Sequence, residues 1–373
     1  MKVTAINKNL SIGGGELLLT LLAKESIKHK YIFDIVLFEK NIQYSENNLK
    51  IKFLSSFRSV PHPLRILLFP YFFISLLFVV RKYDVILTFE RYPAYINIIL
   101  AFLLHKKSIV YVQNPINESF DQIYKNKFLK TFHIFLHSLV FRYTKTVVVS
   151  QGIKNELIEI FGINNKKIVV SRPWIDIDHV LKLSDEKLTA KEKRLLSNKK
   201  IFITVGNLNR QKNHSMLIKT FYLVSKRIKN ILLLIVGEGS ERSNILKAIE
   251  KYHLHGKVIL LGSQNNPYKY MRASNVFILP SKFEGYPHVL IEAIVCGLPI
   301  IAIDSPFGVR EIIAPGPRKY GTLIPNNKSV IKNTADILVD IFKKNGDLIY
   351  FDNKITSVNN YNKKQWLNLL KSI

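Results

Sequence analysis

The stretch Pro280-Ser281-Lys282-Phe283-Glu284-Gly285-Tyr286-Pro287-His288-Val289-Leu290-Ile291-Glu292-Ala293, closed by Cys296-Gly297-Leu298-Pro299, decides how the rest of the chain is read. It lies between two short apolar runs, Val276–Leu279 and Ile300–Ile303, and so reads as strand, loop, helix and next strand. Gly285 lets the backbone turn tightly, and Pro287 suits a first helical position because its missing N–H would have no partner there. The helix expected over His288–Cys296 is apolar except for Glu292, in its second turn. A carboxylate among Val289, Leu290, Ile291, Ala293, Ile294 and Val295 costs free energy to bury unless it has a partner, which marks Glu292 as a binding group. Free N–H groups around Tyr286–Val289 suit a pyrophosphate. Glu284 and Glu292 then have separate tasks, one near a sugar and one accepting hydrogen bonds from hydroxyls such as those of a ribose.

The strand–helix rhythm continues outward in both directions. Upstream, Ile201–Val205, Ile231–Val236 and Val258–Leu261 read as strands, with helices over His214–Ile228 and Ser240–Tyr252. The first half repeats the rhythm with Lys2–Ile6, Tyr31–Phe38, Val85–Phe89, Ser108–Gln113 and Thr146–Ser150. Apolar strands alternating with helices point to α/β architecture, with doubly wound parallel sheets covered on both faces. The rhythm stalls near Arg172–Ser197 and restarts at Lys199, so two such domains are expected in tandem, residues 1–172 and 173–373, with a last helix at about 360–373 packing back on the first. Ligands of such sheets bind at the carboxyl ends of the strands. The loop Gly206–Asn213 places Arg210 and Lys212 beside a helix N-terminus, a setting suited to a diphosphate. The loop Ser11-Ile12-Gly13-Gly14-Gly15-Glu16 opens the first domain's first helix and admits close backbone approach. Gly237-Glu238-Gly239 reads as a tight strand-to-helix turn rather than a nucleotide fingerprint.

Composition bounds the function. The chain has 373 residues, 47% hydrophobic, with 55 Lys and Arg against 27 Asp and Glu, a net charge of +28. Residues 47–155 hold 15 basic and 4 acidic side chains, a net of +11 in their most apolar region. Such an excess favours phosphate-bearing partners, and no helix-turn-helix, finger or RNA-binding motif accompanies it, so nucleic acid is not the expected partner. Leu64–Val80, bracketed by Arg65 and Arg81-Lys82, is shorter than a membrane span and carries Pro70. It reads as a core helix or as one lying in the membrane interface, lysines on the headgroups. The single cysteine, Cys296, excludes a disulfide framework and reads as a small core residue. No secretory signal opens the chain, so a cytoplasmic protein is expected, and the sequon Asn117-Glu118-Ser119 carries no weight. His133 and His137 share a helix face without a third ligand in view, and no metal site is expected.

The segment EGYPHVLIEAIVCGLPIIAIDSPFGVRE, ending at Glu311, resembles the signature of the retaining glycosyltransferases of family 4, glycosyl transferases group 1, with the GT-B fold. GGGE near the N-terminus, VSQGIKNEL at Val149–Leu157, VGNLNRQKN at Val205–Asn213, VGEGSER at Val236–Arg242 and NPYKYM at Asn266–Met271 fall in that family's order and spacing. The resemblance implies two tandem Rossmann-like domains facing across a cleft, the first taking the acceptor and the second a nucleotide sugar. It puts Glu284 beside the donor sugar and Glu292 on the ribose. Phe283, Gly285, Tyr286 and Pro287 match the loop approaching sugar and diphosphate, Lys212 the diphosphate-binding lysine, and Gly14 and Gly15 the glycine loop of the first domain. Three positions depart from the pattern. Asn207 replaces an arginine, whose charge Arg210 is expected to supply. Gln113 stands where many members have a histidine near the reacting centre. Ser171–Asp176 lacks the usual asparagine-proline.

The expected activity is retaining transfer of a hexose or N-acetylhexosamine from a UDP-sugar, without metal or other cofactor. A lipid-linked or lipopolysaccharide glycan on the inner face of the cytoplasmic membrane is the expected acceptor, in bacterial capsule, O-antigen or lipopolysaccharide assembly. An anionic membrane surface would hold the basic, apolar first domain peripherally. Competing expectations are a sugar-nucleotide epimerase or phosphorylase of the same fold, and a non-catalytic protein binding membrane or nucleic acid through its charge.

Overall fold

The computed structural model describes residues 1–10, 13–42, 49–56, 68–89, 92–314, 320–343 and 354–373. Ser11 and Ile12 of the first glycine loop, and residues 64–67 of the long apolar run with Arg65, lie outside the described residues. The chain forms two units, Met1–Trp174 with Asn359–Ile373, and Ile175–Val358. The division thus falls two residues beyond the expected one, and the second unit ends before the last helix does.

The first unit is built on seven strands: β1 Lys2–Asn7, β2 Ile32–Leu37, β3 Lys50–Phe53, β4 Val85–Phe89, β5 Lys107–Val112, β6 Lys145–Val148 and β7 Ile168–Val170. All pair in parallel, in the order β3-β2-β1-β4-β5-β6-β7. The order reverses between β1 and β4, the place where the loops of such a sheet part to leave a crevice. Every residue of β4 is buried, as a strand covered on both faces requires. The apolar helices of this unit are partly sunk in it. Phe72, Leu76 and Val80 of the helix Phe69–Val80 are buried, while Tyr71, Ile74 and Phe78 face out at the helical spacing. Phe128, Phe132 and Phe135 line an outward face of Lys127–Tyr143 in the same way. Among the described residues, no helix is long and apolar enough to cross a membrane.

The final helix, Lys354–Lys371, belongs from Asn359 onward to this first unit. Trp366 is fully buried there, and its Nε1–H donates to Ser26 Oγ at 3.0 Å, on the helix Gly14–Lys28. Asn362 Nδ2 donates to the Pro173 carbonyl at 2.9 Å.

The second unit carries β8 Lys200–Val205, β9 Ile231–Val236, β10 Val258–Gly262, β11 Val276–Leu279, β12 Ile300–Asp304 and β13 Gly321–Pro325, also parallel, in the order β10-β9-β8-β11-β12-β13. Its core gathers Phe202, Leu217, Phe221, Leu233, Ile235 and Leu338 around the sheet. The reversal here falls between β8 and β11, so the loops Gly206–Asn213 and Pro280–Pro287 flank it. Residues 176–198, where the rhythm stalls, hold two short helices. Asp176 caps Ile177–Ser184, and Thr189 with Glu192 forms a capping box on Ala190–Leu196.

Candidate active site

Strand order brings two loops, distant in sequence, side by side. Gln211 Nε2 donates to the Phe283 carbonyl at 3.0 Å, and the Lys282 N–H donates to the Gln211 carbonyl at 2.9 Å. The clip aligns Lys212 with Glu284: Nζ lies 2.6 Å from Oε1, with both side chains largely withdrawn from solvent. Lys212 is further fixed by its own N–H, which donates to Asn209 Oδ1 at 3.0 Å. The turn of Gly237 and Gly239 closes on the same loop. A Cβ on Gly237 would meet the Gly206 carbonyl oxygen at 2.0 Å, and one on Gly239 would meet the Leu208 oxygen at 2.4 Å. The fragment read as a tight turn therefore supports the lysine loop from behind.

Glu284 is anchored on its other side by a bridge to Phe307, and its carbonyl accepts from the Gly308 N–H at 3.0 Å. Phe307 holds φ at 82°, a conformation that costs a non-glycine residue about 1–3 kcal/mol and is concentrated at functional sites. Gly308 has no room for a side chain, since a Cβ would sit 2.0 Å from the Gly285 oxygen.

The helix His288–Val295 takes Pro287 as its extended N-cap, one place before the expected first helical position, and buries Glu292, which is only 8% exposed. Burial pushes the Glu292 carboxyl up to about 7, opposed by the Tyr268 hydroxyl donating to Oε1 at 3.3 Å. Tyr268 lies inside the quoted Asn266–Met271 segment, where the sequence attached no task to it; the structure makes it the partner of Glu292. Cys296, one turn on, is buried, and its thiol is pushed up to about 12, first by burial and then by the neighbouring glutamate. It is a core residue.

Two histidines that the sequence does not single out for chemistry accompany the pair. His214 and His288 are both buried, and neither Nδ1 has a hydrogen-bond partner among the described residues. Burial, and then the nearby Lys212 ammonium, lower each ring to about 4, so both are neutral imidazoles at pH 7. In the sequence only the backbone N–H groups around His288 carry a role, and its ring carries none. The detectable signal was its place at the first turn of an apolar helix.

The other expected residues lie in the same two loops or in the first unit. Asn207 is exposed. Arg210 is 80% exposed, with its guanidinium 3.7 Å from Glu241. Tyr286 and Phe283 are buried in the loop around Glu284. In the first unit Gln113, just past β5, donates from Nε2 to the Gly15 carbonyl at 3.5 Å, and a Cβ on Gly15 would meet Gln113 Oε1 at 2.4 Å. Gly14 begins the helix, behind the extended Gly13. His133 and His137 pack among Phe120, Tyr124 and Tyr95, whose hydroxyl lies 2.6 Å from His137 Nδ1.

Comparison with known proteins gives matches along most of the chain. The family model described as Glycosyltransferase Family 4 matches residues 12–179, and the one described as Glycosyl transferases group 1 matches residues 185–349. The N-acetylgalactosamine-N,N'-diacetylbacillosaminyl-diphospho-undecaprenol 4-alpha-N-acetylgalactosaminyltransferase of Campylobacter jejuni is 29% identical over 339 residues, 89% of this chain and 88% of that protein. An uncharacterized glycosyltransferase of Methanocaldococcus jannaschii is 30% identical over 253 residues; the match covers 65% of this chain and 61% of that protein, under two thirds of its length. Among solved structures, Anabaena HepE in complex with UDP and glucose superposes with a TM-score of 0.80 at 15% identity, over 100% of both chains. That likeness establishes the fold: two Rossmann-like parallel-sheet domains, GT-B.

Proposed function

The chain belongs to glycosyltransferase family 4, the glycosyl transferases group 1, and from that premise we propose that it moves a sugar from a UDP-sugar to a lipid-linked glycan with retention of anomeric configuration. It is a glycosyltransferase of class EC 2.4.1.-, and what the proposal adds is donor, acceptor and the residues that act. The observation that carries it is the withdrawn Lys212–Glu284 pair at the strand reversal of the second unit, with buried Glu292 in the second turn of the helix that follows. Anabaena HepE, which shares the fold, was solved in complex with UDP and glucose, and the Campylobacter jejuni relative is named for a diphospho-undecaprenol acceptor.

In this reading Glu292 accepts from the ribose hydroxyls, and Glu284 faces the donor sugar with Phe283, Gly285, Tyr286 and Pro287 around it. The acceptor hydroxyl attacks the anomeric carbon on the face from which the diphosphate departs. The C–O bond to phosphate breaks with its electron pair on the leaving oxygen, and that oxygen takes the hydroxyl proton. The developing charge on the diphosphate is met by Lys212, by Arg210 from the same loop, and by the free N–H groups at the start of His288–Val295. This charge balance asks for no metal. The resemblance gives Gly14, Gly15 and Gln113 of the first unit roles toward donor and acceptor, and the basic, outward apolar helices of that unit hold the enzyme peripherally on the inner face of the cytoplasmic membrane. Surface polysaccharide assembly, capsule or lipopolysaccharide, is the setting.

The test is turnover of UDP-glucose, UDP-galactose and their N-acetylhexosamine counterparts, with GDP-mannose as contrast, on a polyprenyl-diphosphate-linked glycan in chelator. UDP release with an α-linked product is expected, lowered about a hundredfold or more in Glu284→Gln. Equal turnover by Glu284→Gln, or an inverted linkage, would overturn the assignment.

A further inference from the structure

The first unit holds a cavity of about 890 Å³ that the sugar-transfer reading does not use. It opens where the helices Tyr92–Leu103 and Lys127–Tyr143 end and strands β5 and β6 begin. That is the end of the sheet opposite Gln113, six residues along the extended chain from Lys107, or about 20 Å. Its volume lies within the range of small-molecule sites. The wall is apolar: Ile99, Phe102 and Leu103 from one helix and Tyr143 from the other, with Phe102 81% exposed. The rim is cationic, formed by Lys106, Lys107 and Lys145. Lys107 donates to the Ile373 carbonyl and Lys145 to Ser372 Oγ at 2.9 Å, so residues 372–373 form part of the wall. Asp84, at the same end of the strands, accepts from the Lys2 N–H at 2.7 Å. The partial negative charge of two helix C-termini offsets only part of three ammonium groups.

We propose that this cavity binds one anionic phospholipid of the bilayer, an acyl chain against Ile99, Phe102 and Leu103 and the phosphate on the lysine rim. Each half of the site excludes a simpler occupant. A free phosphate leaves the apolar wall in water, and an uncharged chain makes no use of the lysine rim. An amphiphile with an anionic head satisfies both. The acceptor lipid is not the occupant, because its diphosphate is joined to the glycan that must reach Gln113 at the far end of the strands. That exclusion rests on the proposed function; the amphiphilic chemistry of the cavity does not. A lipid held here orients the first unit on the membrane without occupying the reacting centre.

The test is titration of the protein with dihexanoyl phosphatidylglycerol below its micelle concentration, beside dihexanoyl phosphatidylcholine, inorganic phosphate and farnesyl diphosphate. Saturable one-to-one binding of the phosphatidylglycerol is expected, about tenfold tighter than the phosphatidylcholine and without competition from phosphate. The variants K106E/K145E and Ile99→Trp should each weaken it about tenfold while UDP binding is unchanged. UDP binding reports the second unit, so loss of transfer chemistry and loss of the lipid site separate cleanly. Non-saturable uptake, equal binding of the two phospholipids, or competition by phosphate would overturn the site. Tighter binding of farnesyl diphosphate would overturn the phospholipid as occupant.

Discussion

Replacing Glu292 by Gln should change the pH dependence of stability in a direction fixed by its burial. The carboxyl has an ordinary value of 4.5 and is pushed to about 7 in the folded chain. Below 4.5 it is protonated in both states. Between 4.5 and 7 the unfolded chain ionises it while the folded chain keeps the proton, so the folded state loses ground as pH rises. Each tenfold difference in proton affinity is worth about 1.4 kcal/mol, giving on the order of 3 kcal/mol present below 4.5 and gone above 7. Glu156 is raised to about 7 by the same cause, in spite of accepting from the Asn117 and Ile116 N–H groups, and adds a slope of the same sign. His214 and His288, lowered from 6.5 to about 4, act oppositely: their contribution is present above 6.5 and lost as pH falls toward 4. The wild-type curve alone is therefore nearly silent, and the difference between wild type and Glu292→Gln is the diagnostic quantity. Denaturant titrations at pH 4.5 and 7.5 should show the variant gaining about 3 kcal/mol on the wild type between the two. Parallel behaviour within about 0.5 kcal/mol would refute the view that Glu292 is held neutral by burial. UDP-glucose, whose diester diphosphate does not titrate near neutrality, should bind the variant more weakly, as loss of the ribose acceptor requires.

Lys212→Met leaves Glu284 withdrawn from solvent without its ammonium, and removing one partner of such a pair costs about 3–5 kcal/mol. Thermal unfolding should show the loss, and it should be relieved in the double variant Lys212→Met/Glu284→Gln; additive effects would dissolve the pair. Trp366→Ala should cost about 3–5 kcal/mol, because a fully buried indole and its bond to Ser26 are lost together. A cost below about 1 kcal/mol in denaturant would remove the last helix from the core of the first unit.

The strands that the sequence misses share one property. Lys50–Phe53, Ile168–Val170 and Gly321–Pro325 are β3, β7 and β13, and each lies at a sheet edge. An edge strand has one neighbour and less need of a continuous apolar run, so β3 alternates lysine with isoleucine and phenylalanine while β13 carries Gly321 and Pro325. The interior strands β8, β9, β11 and β12 are buried nearly throughout, and their apolar runs announce them. The helical segment over 176–198 was invisible for a different reason: its helices have only seven or eight residues, so the inward face of Ile177, Val180, Leu181 and Ser184 spans barely two turns, and caps mark where each helix starts.

The candidate site divides in the same physical way. Residue type disclosed that Glu292 needs a partner, but not that the partner is Tyr268, which sits on a different helix. Pairing of Lys212 with Glu284 spans 72 residues and three strands, β9, β10 and β11. It follows from β11 pairing with β8 rather than with β10, a choice made by the sheet and not by either loop. The same holds for Gln113 and Gly15, 98 residues apart. Placement of β8 beside β11 also explains why the two histidines went unread. His214 and His288 each open a helix after one of these neighbouring strands, so the adjacency that joins lysine to glutamate brings both rings to the same ammonium. Their neutral state is then a consequence of the site's assembly: buried next to a cation that Glu284 already neutralises, a second and third positive charge would have no counter-charge.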